Sequence, residues 1–324
     1  MRYDINVIYY LVDEFCKIYL NWQKHKLISS TTTRHRAGKM SLSEMLTIMI
    51  IYHQSPCREF KYFYLYFLPQ KHSKNFPNLL SYNRFVEIMP QLLIPLSTLL
   101  HCIYGKKDEV YFIDSTKLQI CHNKRTNSNR VFKNLAQIEK SSYDWFMGFK
   151  LHININSKGQ IISVKITCGN VDDRAPVKQL TKGLKGSLYA DKGYISQKLF
   201  KEIYADGIRI VTSAKSNMKN YFMTMKDKIL LRKRSVVESV FNILKNNMNL
   251  EHTRHRSPTN FLVNVVACLA SYQFRTNKPK IKNSSGYGDF LGLSRIGVLR
   301  KCWRNFLRSC LETPHCKLLN LVKY

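Results

Sequence analysis

Acidic residues are scarce in this chain: 21 Asp+Glu stand against 52 Lys+Arg over 324 residues, a formal net charge of +31. Such a surplus repels itself in a compact state and points to a polyanionic partner, nucleic acid first. Long apolar runs are lacking too. The strongest candidate, Val86 to Tyr104, is interrupted by Glu87, Gln91, His101, Pro90 and Pro95, which argues against a membrane span. The N-terminus meets Asp13 and Glu14 early and offers no signal-peptide core. Glycine (13) and proline (9) are too few for a collagen-like or linker-dominated chain. The nine cysteines are scattered with no C-x-x-C pair, which excludes a disulfide framework or a zinc cluster and fits reduced thiols in a soluble, cytoplasmic protein. What the chain has in quantity is core material. With 44% hydrophobic and 12% aromatic residues it cannot be a disordered basic tail.

The charge is unevenly spread. Residues 1–100 hold 12 basic and 6 acidic residues, residues 101–276 hold 30 and 13, and residues 277–324 hold 10 and 2. The middle segment thus carries most of the surplus and most of the acids together. The first 105 residues read as an all-helical region, either a plain helical bundle or one that docks DNA ends through Arg34, Arg36 and Lys39. Leu42, Met45, Leu46, Met49 and Ile50 recur at helical spacing, and Ser41 with Glu44 forms a capping-box pattern. From 106 to 276 an α/β pattern follows. Strands are expected at 110–113, 149–156, 160–167, 187–190 and 209–212, with helices from Asp172 to about Leu184, at 195–205, and from Arg232 to about Leu250. Residues 277–324 read as a basic tail, a linker followed by a helix near 299–311, with no assigned role.

Asp114 and Asp191 are expected at strand ends, and Glu238 on the last of those helices. Strand-end aspartates on neighbouring strands lie side by side, facing a helix packed across the sheet. Converging carboxylates repel unless a cation lies between them. Hard oxygen donors suit Mg²⁺, or Mn²⁺ in its place. Two such ions about 4 Å apart stabilise the attacking and leaving oxygens of a phosphoryl transfer. Arg234, Glu238 and Lys245 fall at i, i+4 and i+11, one face of a straight helix, so Arg234 and Lys245 are expected to hold phosphates beside the carboxylates. Taken alone, Arg234 and Glu238 describe only a surface ion pair worth a few tenths of a kcal/mol.

Three blocks carry a resemblance: Asp114-Ser115-Thr116, Asp191-Lys192-Gly193-Tyr194, and Arg234-x₃-Glu238-x₆-Lys245. They resemble the catalytic motifs of DDE transposases of bacterial insertion sequences. The stretches Ser142-x-x-Trp145-Phe146-x-Gly148-Phe149-Lys150-Leu151-His152, Gly169-Asn170-Val171-Asp172-Asp173-Arg174 and His252-x-Arg254-His255-Arg256-Ser257 are similar, more narrowly, to the insertion-sequence 982 family. The resemblance implies an RNase H-like mixed sheet flanked by helices, with Asp114, Asp191 and Glu238 as catalytic metal ligands. It also implies two Mg²⁺ ions, cleavage of double-stranded DNA at transposon ends, transfer of the 3′-OH to target DNA, and a dimer or larger synaptic assembly. One position departs from the related signature, where a Tyr precedes the Arg with two residues between; here it is Leu231. Only about twenty residues separate the last strand from the Glu helix, so no insertion domain fits there.

Several further residues are candidates for DNA contact. Lys124, Arg125, Arg130 and Lys133, with His122, form a basic loop after the first catalytic strand, and Arg254 and Arg256 follow the Glu helix. Asp172 and Asp173 read as N-caps, and Trp145 as core more readily than as a base-stacking platform. Two rival functions remain: a non-catalytic DNA-binding protein, such as a repressor derived from a transposase, and an RNase H-like nuclease that cuts without joining. A requirement for Mg²⁺ separates the first from the enzyme; a joined product separates the second.

Overall fold

The computed structural model describes residues 4–26, 38–121, 123–133, 135–140, 145–214, 218, 222–251 and 255–281. The Arg34–Arg36 loop, His122, Arg254 and almost all of the basic tail lie outside them. The helical start of the chain is as the periodicity predicts. Helices Ile5–Lys26 and Leu42–Tyr52 pack together, and the second opens on a capping box in which Ser41 and Glu44 bond reciprocally. The aromatic run continues as a helix through a π-turn at Phe63–Phe67 and on to His72. Tyr82–Cys102 is long and apolar enough to span a membrane, yet it is broken at Met89–Leu92 and more than half of it is packed inside the fold.

Six strands follow: β1 (Val110–Gln119), β2 (Gln137–Lys140), β3 (Trp145–Asn156), β4 (Ile161–Cys168), β5 (Gly186–Tyr189) and β6 (Ile208–Val211). β1 pairs antiparallel with β3 and parallel with β5, and β5 pairs parallel with β6. Both β2 and β4 pair with the far edge of β3, β2 against its first residues and β4 against the rest. An antiparallel half therefore meets a parallel half along β1, with helices on the faces. This is the RNase H-like arrangement that the resemblance implies. Gly148 permits the closest contact between the two longest strands, since a Cβ there would lie 2.1 Å from the Leu118 carbonyl oxygen.

Alternation along β1 divides the apolar residues between two faces. Tyr111 and Ile113 join a small core with Leu180, Leu188, Leu199 and Ile203. Phe112 joins a larger core that runs without interruption from Ile8 in the first helix to Ile281. Its centre is the helix Pro258–Gln273, buried at every residue from Phe261 onward. Ser271 donates to the Ile50 carbonyl at 2.9 Å, and Gln273 donates to Ile103 and Ile161 at 3.0 and 2.9 Å, tying the helical region to the sheet. The sequence reading proposed no helix there.

Other differences concern extent. β1 continues five residues past Asp114 because β3 is long enough to pair with it as far as Gln119. The helix expected from Asp172 shrinks to the single turn Val177–Leu180, since Asp172 bonds Arg174 instead of capping it. The long helix expected from Arg232 to about Leu250 is instead Ser235–Asn242 followed by a π-turn at Ile243–Asn247, and a separate helix, Met225–Arg232, precedes it. Trp145 is 55% exposed at the start of β3 and is not part of the core.

Candidate active site

The parallel register of β1 and β5 pairs Val110 with Ser187, Tyr111 with Leu188 and Phe112 with Tyr189. The offset is 77 throughout, the same interval that separates Asp114 from Asp191. Each aspartate therefore lies two residues beyond the last pair, side by side where β5 stops and β1 continues. Asp191 precedes the turn Lys192–Tyr194, whose last N–H bonds the Asp191 carbonyl at 3.0 Å. Glu238 reaches the same place from above. Its helix is seated on the sheet by Val237, Val240 and Phe241, within the same core as Phe112 and Tyr189.

Arg234 stands at the break between the two helices, and its guanidinium is the centre of the site. One nitrogen lies 3.3 Å from Asp114 Oδ2; the other lies 3.1 Å from Glu238 Oε1 and 3.9 Å from Asp191 Oδ1. The side chains of Asp191 and Glu238 are more than half exposed, at 56% and 57%, whereas Asp114 at 21% forms the floor. Burial pushes the Asp114 carboxyl up to about 6, and the charges of Asp191 and Glu238 push the same way. The Ser115 N–H, donating at 2.9 Å, and the Arg234 guanidinium oppose the rise. Tyr194 is buried beside this floor; burial and the nearby Asp114 and Asp173 charges keep its phenol protonated.

The donor set suits a hard divalent cation: three carboxylates on three separate elements, with a guanidinium already balancing their charge. As they stand, no three His, Cys, Asp or Glu side chains among the described residues are gathered tightly enough to hold one ion. The guanidinium lies between them.

A second polar cluster adjoins the first. Lys150 donates to Glu139 at 2.9 Å and to the Val171 carbonyl at 3.0 Å, and lies 3.5 Å from Asp173. Asp173 is thus a partner of Lys150, not an N-cap. His152 is fully buried on β3 and bonds Thr167 Oγ1 at 2.8 Å; burial pushes its imidazole down to about 4, so it is neutral at pH 7. Lys150, His152, Val171 and Asp173 come from two of the three stretches that carry the narrower resemblance.

The remaining sequence candidates are spread out. Lys245, like Arg234, reaches β1, but away from the carboxylates. It lies on the π-turn, donating to the Lys117 carbonyl at 2.9 Å and pairing with Glu251 at 2.7 Å. Lys124, Arg125, Arg130 and Lys133 are exposed on the β1–β2 connection, and Arg256 is exposed just before the cap of the Pro258–Gln273 helix. Sequence reasoning missed Asp227. It is buried and accepts from Tyr189 at 2.8 Å, from Thr224 at 2.8 Å and from both Arg209 terminal nitrogens at 2.7 and 3.0 Å. That set moors the helix preceding Arg234 to β5 and β6. The Thr224-x-x-Asp227 cap pattern was the available signal.

Comparison with known proteins adds an independent finding. Residues 104–258 match the family described as a transposase DDE domain. No curated protein matches. Among solved structures, a cryo-EM structure of a piggyBac transposase synaptic complex with hairpin DNA is similar at 12% identity and a TM-score of 0.49, covering 99% of this chain and 86% of that one.

Proposed function

We propose that this chain, whose residues 104–258 form a transposase DDE domain, cuts DNA at the ends of an insertion element and joins the freed 3′-OH to target DNA. The observation that carries the proposal is the meeting of Asp114, Asp191 and Glu238 around one guanidinium inside that domain. A membership in the insertion-sequence 982 family is part of the same reading, supported by the motifs around Lys150, His152 and Asp173.

Asp114, Asp191 and Glu238 would hold divalent cations, with Mg²⁺ the fitting choice. Such ions, when bound, stabilise the charge on the attacking and leaving oxygens of a phosphodiester. Asp114, desolvated at the floor, is the ligand that a cation neutralises most. Arg234, displaced from the carboxylates, has a scissile or neighbouring phosphate as its natural new partner. Lys124, Arg125, Arg130, Lys133, Arg254 and Arg256 would steady the duplex through its backbone. Two ends held together call for a dimer or a larger assembly.

The test is cleavage of an end-containing duplex in Mg²⁺, followed by capture of the cut end into a plasmid. Asp114→Asn should abolish both while duplex binding persists. Undiminished cutting by that variant would sink the assignment. Nicks without any joined product would leave a nuclease.

A further inference from the structure

Away from the carboxylates, a cleft of about 720 Å³ opens between the helical region and the start of the Pro258–Gln273 helix. Its volume is that of pockets that take small organic ligands. Met49, Tyr52 and Met89 are buried in its wall, and Phe60 and Tyr82 flank it with ring centroids 6.4 Å apart. Asn83, His255 and Ser257 also line the cleft, but two further polar groups on its wall stand out. Asn260 and Asn264 are one turn apart on the same helix and both line the cleft. Asn264 is only 8% exposed, and its amide nitrogen has no hydrogen-bond partner; the Asn260 amide oxygen has none either. An unbonded donor inside a protein costs free energy unless something comes to meet it. The mouth is basic: Arg256 and Lys61 outnumber Glu59, and the N-terminus of the Pro258–Gln273 helix opens there.

We propose that this cleft takes one unpaired nucleotide of a DNA strand. Its base would lie against Phe60 and Tyr82, its edge meeting the amides of Asn260 and Asn264. Its phosphate would be held by Arg256, Lys61 and the helix N-terminus. Flat heterocycle, donor–acceptor edge and anion are the three properties that the wall, the two amides and the mouth select together. The inference rests on the reading that DNA is the substrate, and it adds a site where a displaced base is held outside the duplex.

The test compares two short 5′-phosphorylated single strands on the full chain by fluorescence anisotropy. One is an otherwise abasic octamer with a single central thymidine; the other is abasic throughout. The wild-type protein should prefer the base-bearing strand by about tenfold. Asn264→Leu, which replaces the unbonded amide with apolar volume, should bring the two affinities together. Asn264→Asp serves the same comparison if the leucine variant does not fold, and it too should erode the preference. A bromodeoxyuridine octamer should crosslink to Phe60, Tyr82 or Met89. Equal affinity of the wild type for both strands overturns the proposal and leaves the cleft to a peptide or a second copy of the chain. So does a preference that survives in both Asn264 variants. Absence of the preference in the wild type with normal duplex binding would refute the cleft alone, whereas failure of the wild type to bind any DNA would refute the DNA reading with it.

Discussion

Replacing Asp114 by Asn removes one negative charge and keeps the shape. The folded protein holds this carboxyl near 6, above its ordinary 3.8, with burial as the main cause. A raised carboxyl means that the folded chain binds the proton more tightly than the unfolded chain does. Its contribution is therefore neutral below the ordinary value, grows destabilising as pH rises above 3.8, and is complete above about 6. The shift of about two units, at 1.36 kcal/mol each, amounts to about 3 kcal/mol at pH 8. The Arg234 attraction is already contained in that figure, and Asn can still accept the Ser115 N–H. Without divalent cation, Asp114→Asn should then be more stable than the wild type by about 3 kcal/mol at pH 8 and nearly equal to it near pH 4. Millimolar Mg²⁺ should stabilise the wild type and act much less on the variant. Urea unfolding at several pH values, with chelator or with Mg²⁺, measures all of this. Two stability curves that run parallel from pH 4 to 8 would refute the reasoning, as would equal stabilisation of both proteins by Mg²⁺.

Other expectations follow from particular contacts. Asp227→Ala strands the Arg209 guanidinium and the Tyr189 hydroxyl, and should cost about 3–5 kcal/mol in urea unfolding. Although burial opposes it, the bonds from Arg209, Tyr189 and Thr224 hold the Asp227 carboxyl below its usual value. Its stabilising contribution is thus present above the ordinary carboxylate range and lost in acid as pH falls through the lowered value. Gly148→Ala would drive a methyl group into the Leu118 carbonyl and should abolish cooperative unfolding, read by circular dichroism on heating. Neutralising Lys124, Arg125, Arg130 and Lys133 should flatten the dependence of duplex affinity on salt, by a slope of roughly 0.9 for each phosphate contact removed. An unchanged slope would remove that loop from the DNA interface.

The sequence disclosed the carboxylate trio but not its balancing charge, for a physical reason. Parallel pairing preserves a constant offset between strands, so two aspartates two residues past the last pair become neighbours whenever the strands pair in that register. Strand patterning around Val110 and Leu188 located both aspartates, although only Asp191 follows a strand's end and β1 runs on to Gln119. The Glu238 face was readable because Val237 and Phe241 recur at helical spacing. What patterning cannot disclose is where a helix breaks. A straight helix puts Arg234, Glu238 and Lys245 on one face beside the carboxylates, with both cations expected on phosphate. The helix instead breaks at Lys233–Arg234 and ends in a π-turn; Arg234 keeps its place beside Glu238 and also pairs with Asp114, while Lys245 reaches Glu251 and the Lys117 carbonyl. Neither feature has a glycine or proline to announce it. The Pro258–Gln273 helix was missed for the opposite reason: it is buried on every side from Phe261 onward, so it has no strong amphipathic period to detect. The site's electrostatics consequently depend on backbone irregularities set by tertiary packing, and Asp227, moored to Arg209 and Tyr189, is the contact that fixes the helix just ahead of the break. Disturbing Asp227 should therefore loosen Arg234 from the carboxylates before it disturbs the sheet that carries them.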